Sequence, residues 1–425
     1  MKMKKVLALG LAVAMTATMF VGCGSKKDDS SSTTTNNDSK GGKQSVELKV
    51  WGPQEEQDLM KQLCEKFNEQ EDEFDVKFTY AVVGENDAYT QISKDSKTAA
   101  DVFMFGGDQL PAMTTGKYLF DLSALETELG VNLAEKFDSV ALDSGKVDGK
   151  QYSLPFTPNI TFLYYNKSML TEEEAKSLDT IMAKNCGAGV KNFSVKLNDG
   201  FFNSAFFNAN GCTVFGADGK DATSCDYNSK AGISVVKYLN NMIATGKFHL
   251  NADNDAITLL KNGKLASYMS GSWDASAVKE ALKDNYAATI LPTIKIDGAD
   301  KSLKPFSSFK QIGVNASTKA PKAAAKLALF LTGKYAQEQR AKVRGYAPTN
   351  LELKDTQFEE VSITAQMLQA TADHSVLQPT IDQMQKYWPV MEDLGNKIYK
   401  KDVAVKTDAA IHKTLNTVVE TITAK

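Results

Sequence analysis

The sequence predicts an α/β protein of more than one domain. Segments with the patterns of strands and helices alternate along the chain, and one strand segment is apolar enough to be buried on both faces, as strands of parallel sheets are. The chain has 425 residues, more than a single hydrophobic core usually organises. With 42% hydrophobic and 24% charged residues it has the composition of a globular protein, which excludes collagen-like, coiled-coil and wholly disordered chains.

The charge balance argues against nucleic acid as the main partner. The chain has 49 lysine and arginine residues against 52 aspartate and glutamate residues, a formal net charge of −3. Residues 1–22 hold three of the lysines and no acid, so a chain cleaved after Gly22 carries −6. Such a mildly acidic body has no excess of positive charge with which to bind phosphates.

Residues 1–22 have the pattern of an export signal. Residues 1–5 are basic, and residues 6–20 form an apolar core that is too short to span a bilayer stably. The motif VGC at 21–23, followed by Gly24, resembles the lipobox of bacterial lipoproteins, although Phe20 stands where leucine is usual. This resemblance implies cleavage before Cys23 and lipidation of its sulfur by a diacylglycerol. The alternative is an ordinary secretory signal with an incidental cysteine.

Residues 23–45 are predicted to form a disordered, lipid-anchored tether. From residue 25 to residue 45 the chain is small, polar or charged, with no large apolar side chain to bury. No later apolar run reaches the ~20 residues that a membrane helix needs. We therefore expect a globular body tethered outside the membrane.

The globular body is predicted to begin with a β-α-β-α-β unit, which indicates a parallel sheet. Its first strand alternates apolar and polar side chains and is ended by Gly52-Pro53. The segments of this unit are a strand at 46–51 (VELKVW), a helix at 54–69, a strand at 74–80, a helix at 88–98 and a strand at 101–105 (DVFMF).

The alternation continues after Tyr152 with the strand-like runs LPF and FLYYN. No internal repeat of 20–50 residues is visible. The further predicted elements are a strand at 287–291 and helices at 171–184, 229–245, 319–343, 359–373 and over most of 378–425.

The cysteines and histidines predict no metal site, because no pair has the spacing of a zinc-binding motif and the three histidines are scattered. Cys212 and Cys225 flank a short stretch rich in Gly and Asp that suits a hairpin, so an extracellular disulfide is conceivable. Free thiols are the equally good alternative.

Nine short motifs, in order along residues 46–425, resemble those of the extracellular solute-binding proteins of carbohydrate ABC importers. The resemblance is greatest to the maltose- and maltodextrin-binding branch. The motifs are LKVWG (48–52), ADVFMFGGDQ (100–109), GKYLFDLS (116–123), GKQYSLPF with LYYNKSML (149–170), LNAD (250–253), NGKLASYMSGSW (262–273), ILPT (290–293), KPFSSFKQIGVNAST (304–318) and YAPTN (346–350).

This resemblance implies a two-lobed, periplasmic-binding-protein-like fold of type II, with a sugar cleft between the lobes and a hinge of several crossings. Short polar segments near 156–159, 304–309 and 350–358 suit such crossings. The lobes are then 46–156 plus 309–350 and 159–304 plus 358–425.

A sugar-binding cleft needs aromatic side chains to stack on the ring faces, and carboxylates or amides to bind the hydroxyl rim. Such groups are expected in the loops that follow strands. In the loop after the third strand, Asp108 matches the family's acid, Phe105 takes the place of its aromatic residue, and Gln109 replaces its arginine. We expect Asp108 to accept sugar hydroxyls; the alternative is an acid with only a loop role.

Three further polar positions match this pattern. Glu55 and Glu56 follow the first strand, where the family places polar side chains on the sugar, but acids at a helix N-terminus explain them equally well. Asn159 stands where the maltodextrin branch carries glutamate, and its amide can both donate and accept.

The aromatic positions come from three segments. Residues 198–204 (NDGFFNS) resemble a loop that supplies an acid and two stacking aromatics, which Asp199 and Phe201 fit, while Ser204 replaces one aromatic. Trp273 and Trp388 match the two tryptophans that stack on sugar rings, with core packing as the alternative. Trp51, at the end of the first strand, suits either role.

The resemblance implies a lipid-anchored binding protein on the extracellular face of the bacterial cell membrane. It would capture oligosaccharides, maltose and maltodextrins first, by lobe closure and deliver them to a membrane permease. We expect a monomer that is not an enzyme and has no cofactor. The alternatives are a binder of another oligosaccharide or a polyol, an adhesin or scaffold, and a surface glycosidase, which would need two carboxylates about 5–10 Å apart.

Overall fold

The structure, a computed structural model, describes residues 42–424 apart from the side chain of Leu125. The predicted signal peptide and Cys23 lie outside the described residues. The strands are β1 (Gln44–Gly52), β2 (Phe74–Val82), β3 (Val102–Gly106), β4 (Lys146–Val147), β5 (Lys150–Gln151), β6 (Ser153–Asn159), β7 (Thr161–Asn166), β8 (Lys191–Val195), β9 (Phe248–Leu250), β10 (Leu265–Gly271), β11 (Tyr286–Thr289), β12 (Thr293–Ile296), β13 (Ala299–Ser302), β14 (Phe306–Val314) and β15 (Val376–Leu377).

Helices alternate with these strands, and short 3₁₀ turns precede several of them. The α-helices are α1 (Gln57–Gln70), α2 (Ala88–Ile92), α3 (Leu110–Thr115), α4 (Leu125–Leu129), α5 (Ser139–Asp143), α6 (Leu178–Ala183), α7 (Gly200–Ala209), α8 (Lys230–Ala244), α9 (Ala256–Lys261), α10 (Ala275–Leu282), α11 (Pro321–Leu331), α12 (Lys334–Arg344), α13 (Val361–Gln369), α14 (Met384–Tyr399) and α15 (Asp408–Thr423). Among residues 42–424, no helix is both long and apolar enough to cross a membrane.

Two sheets organise the chain. The first has the strand order β15-β14-β3-β1-β2, with β6 also paired to β14. Within it β1 pairs in parallel with both β2 and β3, which confirms the predicted β-α-β-α-β unit. The second sheet has the order β11-β7-β10-β8-β9. The chain passes from one sheet to the other between β6 and β7, next to the first predicted crossing at 156–159.

Each sheet has its own hydrophobic core. Val50, Phe67 and Val102 belong to a cluster on the first sheet, whereas Phe193 and Phe206 belong to a larger cluster on the second. Because burial of apolar area is the main term that favours folding, two separate clusters are what two lobes require.

Several predicted boundaries are wrong for local reasons. The first strand begins at Gln44, inside the predicted tether. The helix predicted over 88–98 ends at Ile92, because the Asp95 carboxylate accepts hydrogen bonds from the Lys97 backbone N–H and the Thr98 hydroxyl, and these bonds favour a turn. The helix predicted over 319–343 is two helices, separated where Gly333 adopts an extended conformation.

Strand β15 lies between two predicted helices and was not itself predicted; it pairs in parallel with β14 at Phe306 and Ser307, next to the predicted crossing near 304–309. The four described cysteines, which include Cys212 and Cys225, are free, so the disulfide that we considered is not formed.

A buried ion pair joins the end of β1 to helix α12. Glu56 and Arg340 are both fully buried, and the Arg340 guanidinium donates from Nε to the Glu56 carboxylate at 3.2 Å. Arg344 Nε lies 3.5 Å from the other carboxylate oxygen. A buried charge whose partner is removed destabilises the fold strongly.

We predict that Glu56→Gln lowers the free energy of unfolding by about 3 kcal/mol or more, because it leaves buried arginines without a counter-charge. The matched control is Glu55→Gln, since Glu55 is exposed one residue earlier and should change stability by less than about 0.5 kcal/mol. Urea unfolding measures both, and equal midpoints for the two variants would show that the ion pair has no such role.

Candidate functional site

A cavity of about 970 Å³ opens where loops from the two sheets meet. Its wall mixes carboxylates, amides, two lysines and five aromatic side chains. The lining residues are Pro53, Gln54, Glu55, Val82, Gly84, Glu85, Asn86, Asp87, Tyr89, Thr90, Asp108, Gln109, Asn159, Lys196, Asn198, Asp199, Gly200, Phe201, Phe202, Ala252, Trp273, Lys310, Gln378, Gln385, Trp388 and Glu392.

One wall is built from three 3₁₀ turns, each of which follows a strand of the first sheet. The turns Gln54–Glu56, Glu85–Asp87 and Gly107–Gln109 come after β1, β2 and β3 and lead into α1, α2 and α3. Because these strands are parallel, the three turns lie at the same edge of the sheet, where ligands of open α/β sheets bind. This edge places Glu55, Glu85 and Asp108 in the cavity.

Asp108 is a carboxylate with an unusual environment. Burial raises its pKa to about 6. A hydrogen bond from its own backbone N–H lowers the pKa and offsets part of this rise. A Cβ atom at Gly106 would lie 2.6 Å from the Asp108 Oδ1 atom, so the glycine leaves the room that this side chain occupies.

Lys310 on β14 is the buried cation of the cavity. Its side chain is 3% exposed, and its ammonium lies 2.5 Å from a carboxylate oxygen of Glu85. The same ammonium lies 5.6 Å from the centre of the Trp273 ring and 5.0 Å from that of Tyr346. Burial alone would lower the pKa of Lys310, but the charge of Glu85 outweighs it and raises that pKa above its ordinary value. Lys310 therefore remains positively charged.

The opposite wall carries Trp273. It lies in the turn Ser272–Asp274 after β10, half-buried against Phe201 and Phe202, whose ring centres are each 6.4 Å away. A Cβ atom at Gly271 would lie 2.2 Å from the indole, so only glycine permits this ring position. The Asp274 carboxylate, which accepts hydrogen bonds from Tyr268 and Ser270, holds the turn in place.

Trp388 lies in α14, in contact with the start of α7. A Cβ atom at Gly200 would lie 3.2 Å from its ring, so the glycine brings the two helices close together. The neighbouring Asp199 caps α7 by accepting from the Phe201 backbone N–H at 2.9 Å, and burial raises the pKa of Asp199. Trp388, Asp199 and Phe201, which were predicted to bind ligand, thus lie close together in the lining of the cavity.

Two predicted amides reach the cavity in different ways. Asn159, at the end of β6, donates to the Ser308 hydroxyl at 3.3 Å, and among residues 42–424 no group donates to its carbonyl oxygen. Both polar atoms of the Gln109 carboxamide are hydrogen-bonded within the protein. The nitrogen donates to the Glu85 carbonyl at 2.7 Å, and the oxygen accepts from the Tyr89 backbone N–H at 2.8 Å. Gln109 therefore braces the turn that carries Glu85.

Two predicted site residues do not lie in the cavity. Phe105 is fully buried in a cluster with Trp51 and Phe103, because its side chain points to the helix-covered face of β3 rather than past its end. Glu56 is fully buried against Arg340. Both residues were predicted to contact ligand, but neither side chain lines the cavity; Trp51 also belongs to the core.

Glu85, Lys310 and Gln378 also line the cavity, although the sequence did not predict them as site residues. Glu85 repeats the spacing of Glu55, an acid three residues after the end of a strand, and this repetition was a usable signal. Lys310 stands inside β14, all nine residues of which are buried, and a lysine in such a strand requires a partner. Among residues 42–424, no group of three or more His, Cys, Asp or Glu side chains is arranged to hold a metal ion.

We predict that Asp108→Asn stabilises the ligand-free protein at pH 7 by about 1–2 kcal/mol. The folded protein binds a proton at Asp108 near pH 6 and the unfolded chain only near pH 4, so the charged carboxylate destabilises the fold above pH 6. This penalty is full above pH 6 and is lost gradually as the pH falls from 6 towards about 4, so the difference between variant and wild type should be smaller at pH 5 than at pH 7.

Urea unfolding at pH 7 and pH 5 measures the effect of Asp108. The control is Asp87→Asn, because Asp87 is an exposed acid of the same cavity. A variant that is no more stable than the wild type at pH 7, or whose advantage persists unchanged at pH 5, would contradict this account.

Comparison with known proteins agrees with this geometry. The family model described as bacterial extracellular solute-binding protein matches residues 62–369. The galactooligosaccharide-binding protein of Bacillus subtilis (strain 168) is 24% identical over 400 residues, which cover 91% of this chain and 91% of that protein. A structure solved with acarbose is 32% identical, with a TM-score of 0.79 over 90% of this chain and 99% of that one.

A second similar structure is the maltodextrin binding protein MalE1 from L. casei BL23, solved without ligand. It is 27% identical, with a TM-score of 0.78 over 90% of this chain and 100% of that one. These structures confirm the predicted two-lobed α/β fold. Since the family model covers most of the described body, the chain belongs to the bacterial extracellular solute-binding proteins.

Proposed function

We propose that this protein is the substrate-binding component of an ABC importer for oligosaccharides, with maltodextrins as the first candidates. The observation that carries the proposal is the cavity of about 970 Å³, which places two half-buried indoles on one wall and three strand-end carboxylates on the other. Its volume is in the upper part of the range of small-molecule sites, which suits a ligand of several sugar rings.

The two walls offer different groups to a sugar: aromatic rings on one wall and hydrogen-bond acceptors on the other. Trp273 and Trp388 offer flat faces for the apolar sides of sugar rings. Asp108 and Glu55 offer acceptors for hydroxyl groups, while the free carbonyl oxygen of Asn159 adds a further acceptor. Related proteins are named for galactooligosaccharides and maltodextrins, which supports an oligosaccharide without selecting one.

Because the proposed ligand contacts are distributed over both walls of the cavity, we expect the two walls to close around the ligand. The acids lie on loops of the first sheet and the tryptophans on loops and helices of the second, so neither wall alone removes a ligand from water. Ligand contacts with both walls favour the closed state by their differential energy. We propose the lobes as 46–156 plus 309–350 and 159–304 plus 358–425, and the closed form as the one that the permease binds.

A glycosidase is the alternative that one observation favours, because the raised pKa of Asp108 suits a general acid. Against it, the family to which the chain belongs is described as solute-binding, and an amide, Asn159, stands at the position where the maltodextrin branch has an acid. We propose binding without catalysis. Incubation with maltotetraose, followed by chromatography, decides the point, since shorter sugars would appear only with a hydrolase.

Membrane anchoring is proposed from the sequence motif at Cys23. The residues that carry it lie outside the described part of the chain. We predict that Cys23→Ala releases the protein from bacterial membranes into the soluble fraction, because the variant lacks the sulfur to which the lipid is attached. The conservative control is Cys64→Ala, which removes a cysteine of the folded body. Membrane retention of Cys23→Ala equal to that of the wild type would contradict lipidation at this residue.

We predict that Trp273→Ala and Trp388→Ala each weaken maltotetraose binding by about 1–3 kcal/mol, as truncation of buried aromatic anchors does. Calorimetric titration measures the affinity, and circular dichroism checks the fold. The control is Trp51→Phe, because Trp51 packs in the core outside the cavity. Full affinity in both alanine variants would assign the two indoles to packing alone. A wild type that binds neither maltotetraose nor galactooligosaccharides would refute the proposed function.

A further inference from the structure

Gln378 occupies a fixed position in the wall of the cavity. It follows β15, and its backbone N–H donates to the Ser307 carbonyl on the crossing strand β14 at 2.9 Å. The next residue, Pro379, packs against Gly219, where an added Cβ atom would lie 3.2 Å from the proline ring. The backbone on both sides of the Gln378 side chain is therefore held by the fold.

The Gln378 side chain is buried and unpaired. The residue is 3% exposed and lines the cavity, yet its Nε2 atom has no hydrogen-bond partner among residues 42–424. Buried polar groups are almost always hydrogen-bonded, because leaving one unpaired destabilises the folded protein. An unpaired amide in a cavity wall thus indicates a partner that arrives from the cavity.

Three other amides of the cavity wall each donate at least one hydrogen bond within the protein. Gln109 donates to the Glu85 carbonyl, and Asn159 donates to the Ser308 hydroxyl. Asn198 donates to Asn396 at 3.4 Å, although its carbonyl oxygen is buried without a partner. Among the cavity-lining residues, all of which lie within residues 42–424, Gln378 Nε2 is the buried side-chain donor atom that makes no hydrogen bond at all.

We infer that Gln378 is a further ligand-binding residue, whose carboxamide binds hydroxyl groups of a sugar in the cavity and helps to set its specificity. A carboxamide presents a donor and an acceptor side by side, which matches two neighbouring hydroxyls of a sugar ring. A ligand without those hydroxyls leaves the buried amide unpaired, and is bound more weakly for that reason. The inference rests on the proposed oligosaccharide function.

The test is the affinity and the stability of Gln378→Leu, measured with maltotetraose as ligand. The affinity should fall by about tenfold, because the variant cannot form the hydrogen bonds. The melting temperature without ligand should be unchanged or higher, since leucine replaces an unpaired buried amide with an apolar group of similar size. A residue with only a structural role would instead lower that melting temperature.

Gln378→Met serves as a second variant if leucine does not fit the wall. The control is Gln383→Leu, because Gln383 lies five residues further along and does not line the cavity. Wild-type affinity in both Gln378 variants, or a lowered melting temperature without ligand in both, overturns the inference while the wild type still binds sugar. A wild type that binds no oligosaccharide overturns the proposed function, and this inference with it.

Discussion

The cleft depends on one buried charge, the ammonium group of Lys310. This side chain is 3% exposed on the crossing strand β14, and a lysine so buried is tolerated only with a counter-charge. Glu85 supplies that charge from the turn after β2, while the aromatic faces of Trp273 and Tyr346 surround the cation. Lys310 on β14 thereby contacts both Glu85, in the turn after β2 of the first sheet, and Trp273, in the turn after β10 of the second sheet. Removal of either charge would leave the other buried without a partner.

The rest of the first wall follows from the parallel arrangement of β1, β2 and β3. Each strand ends in a turn that starts a helix, so acids in these turns are close to helix N-termini, where negative charge is stabilised. Burial works against that stabilisation and leaves Asp108 with a pKa of about 6. If the cavity binds a polyol as we propose, the hydroxyl groups of that ligand would supply hydrogen-bond donors to the buried Asp108 carboxylate, which would offset the cost of its burial.

The fold was largely predictable, because the alternation of strand and helix patterns and the nine ordered motifs report on the path of the backbone. The position of Trp273 in the cavity wall was predictable because this residue follows glycine and serine instead of an apolar run. The burial of Phe105 and Glu56 was not predictable, because a shift of one residue along a strand or turn moves a side chain from the cavity to the core. Gln378 was missed because its position depends on the pairing of β15 with β14, which joins segments about 70 residues apart and leaves no local pattern. Lys310 was missed because its position depends on the pairing of β14 with β3, whose segments are still further apart along the chain.

Small-angle X-ray scattering with and without saturating maltotetraose tests the central claim most directly, namely that the two walls close on an oligosaccharide. Split sites of this kind favour the closed state only through contacts made on both sides. The radius of gyration of the wild type should fall when maltotetraose binds. The Trp273→Ala variant should need a higher ligand concentration to show the same decrease. A radius of gyration that stays constant at saturating ligand, in a protein that is open beforehand, would contradict closure.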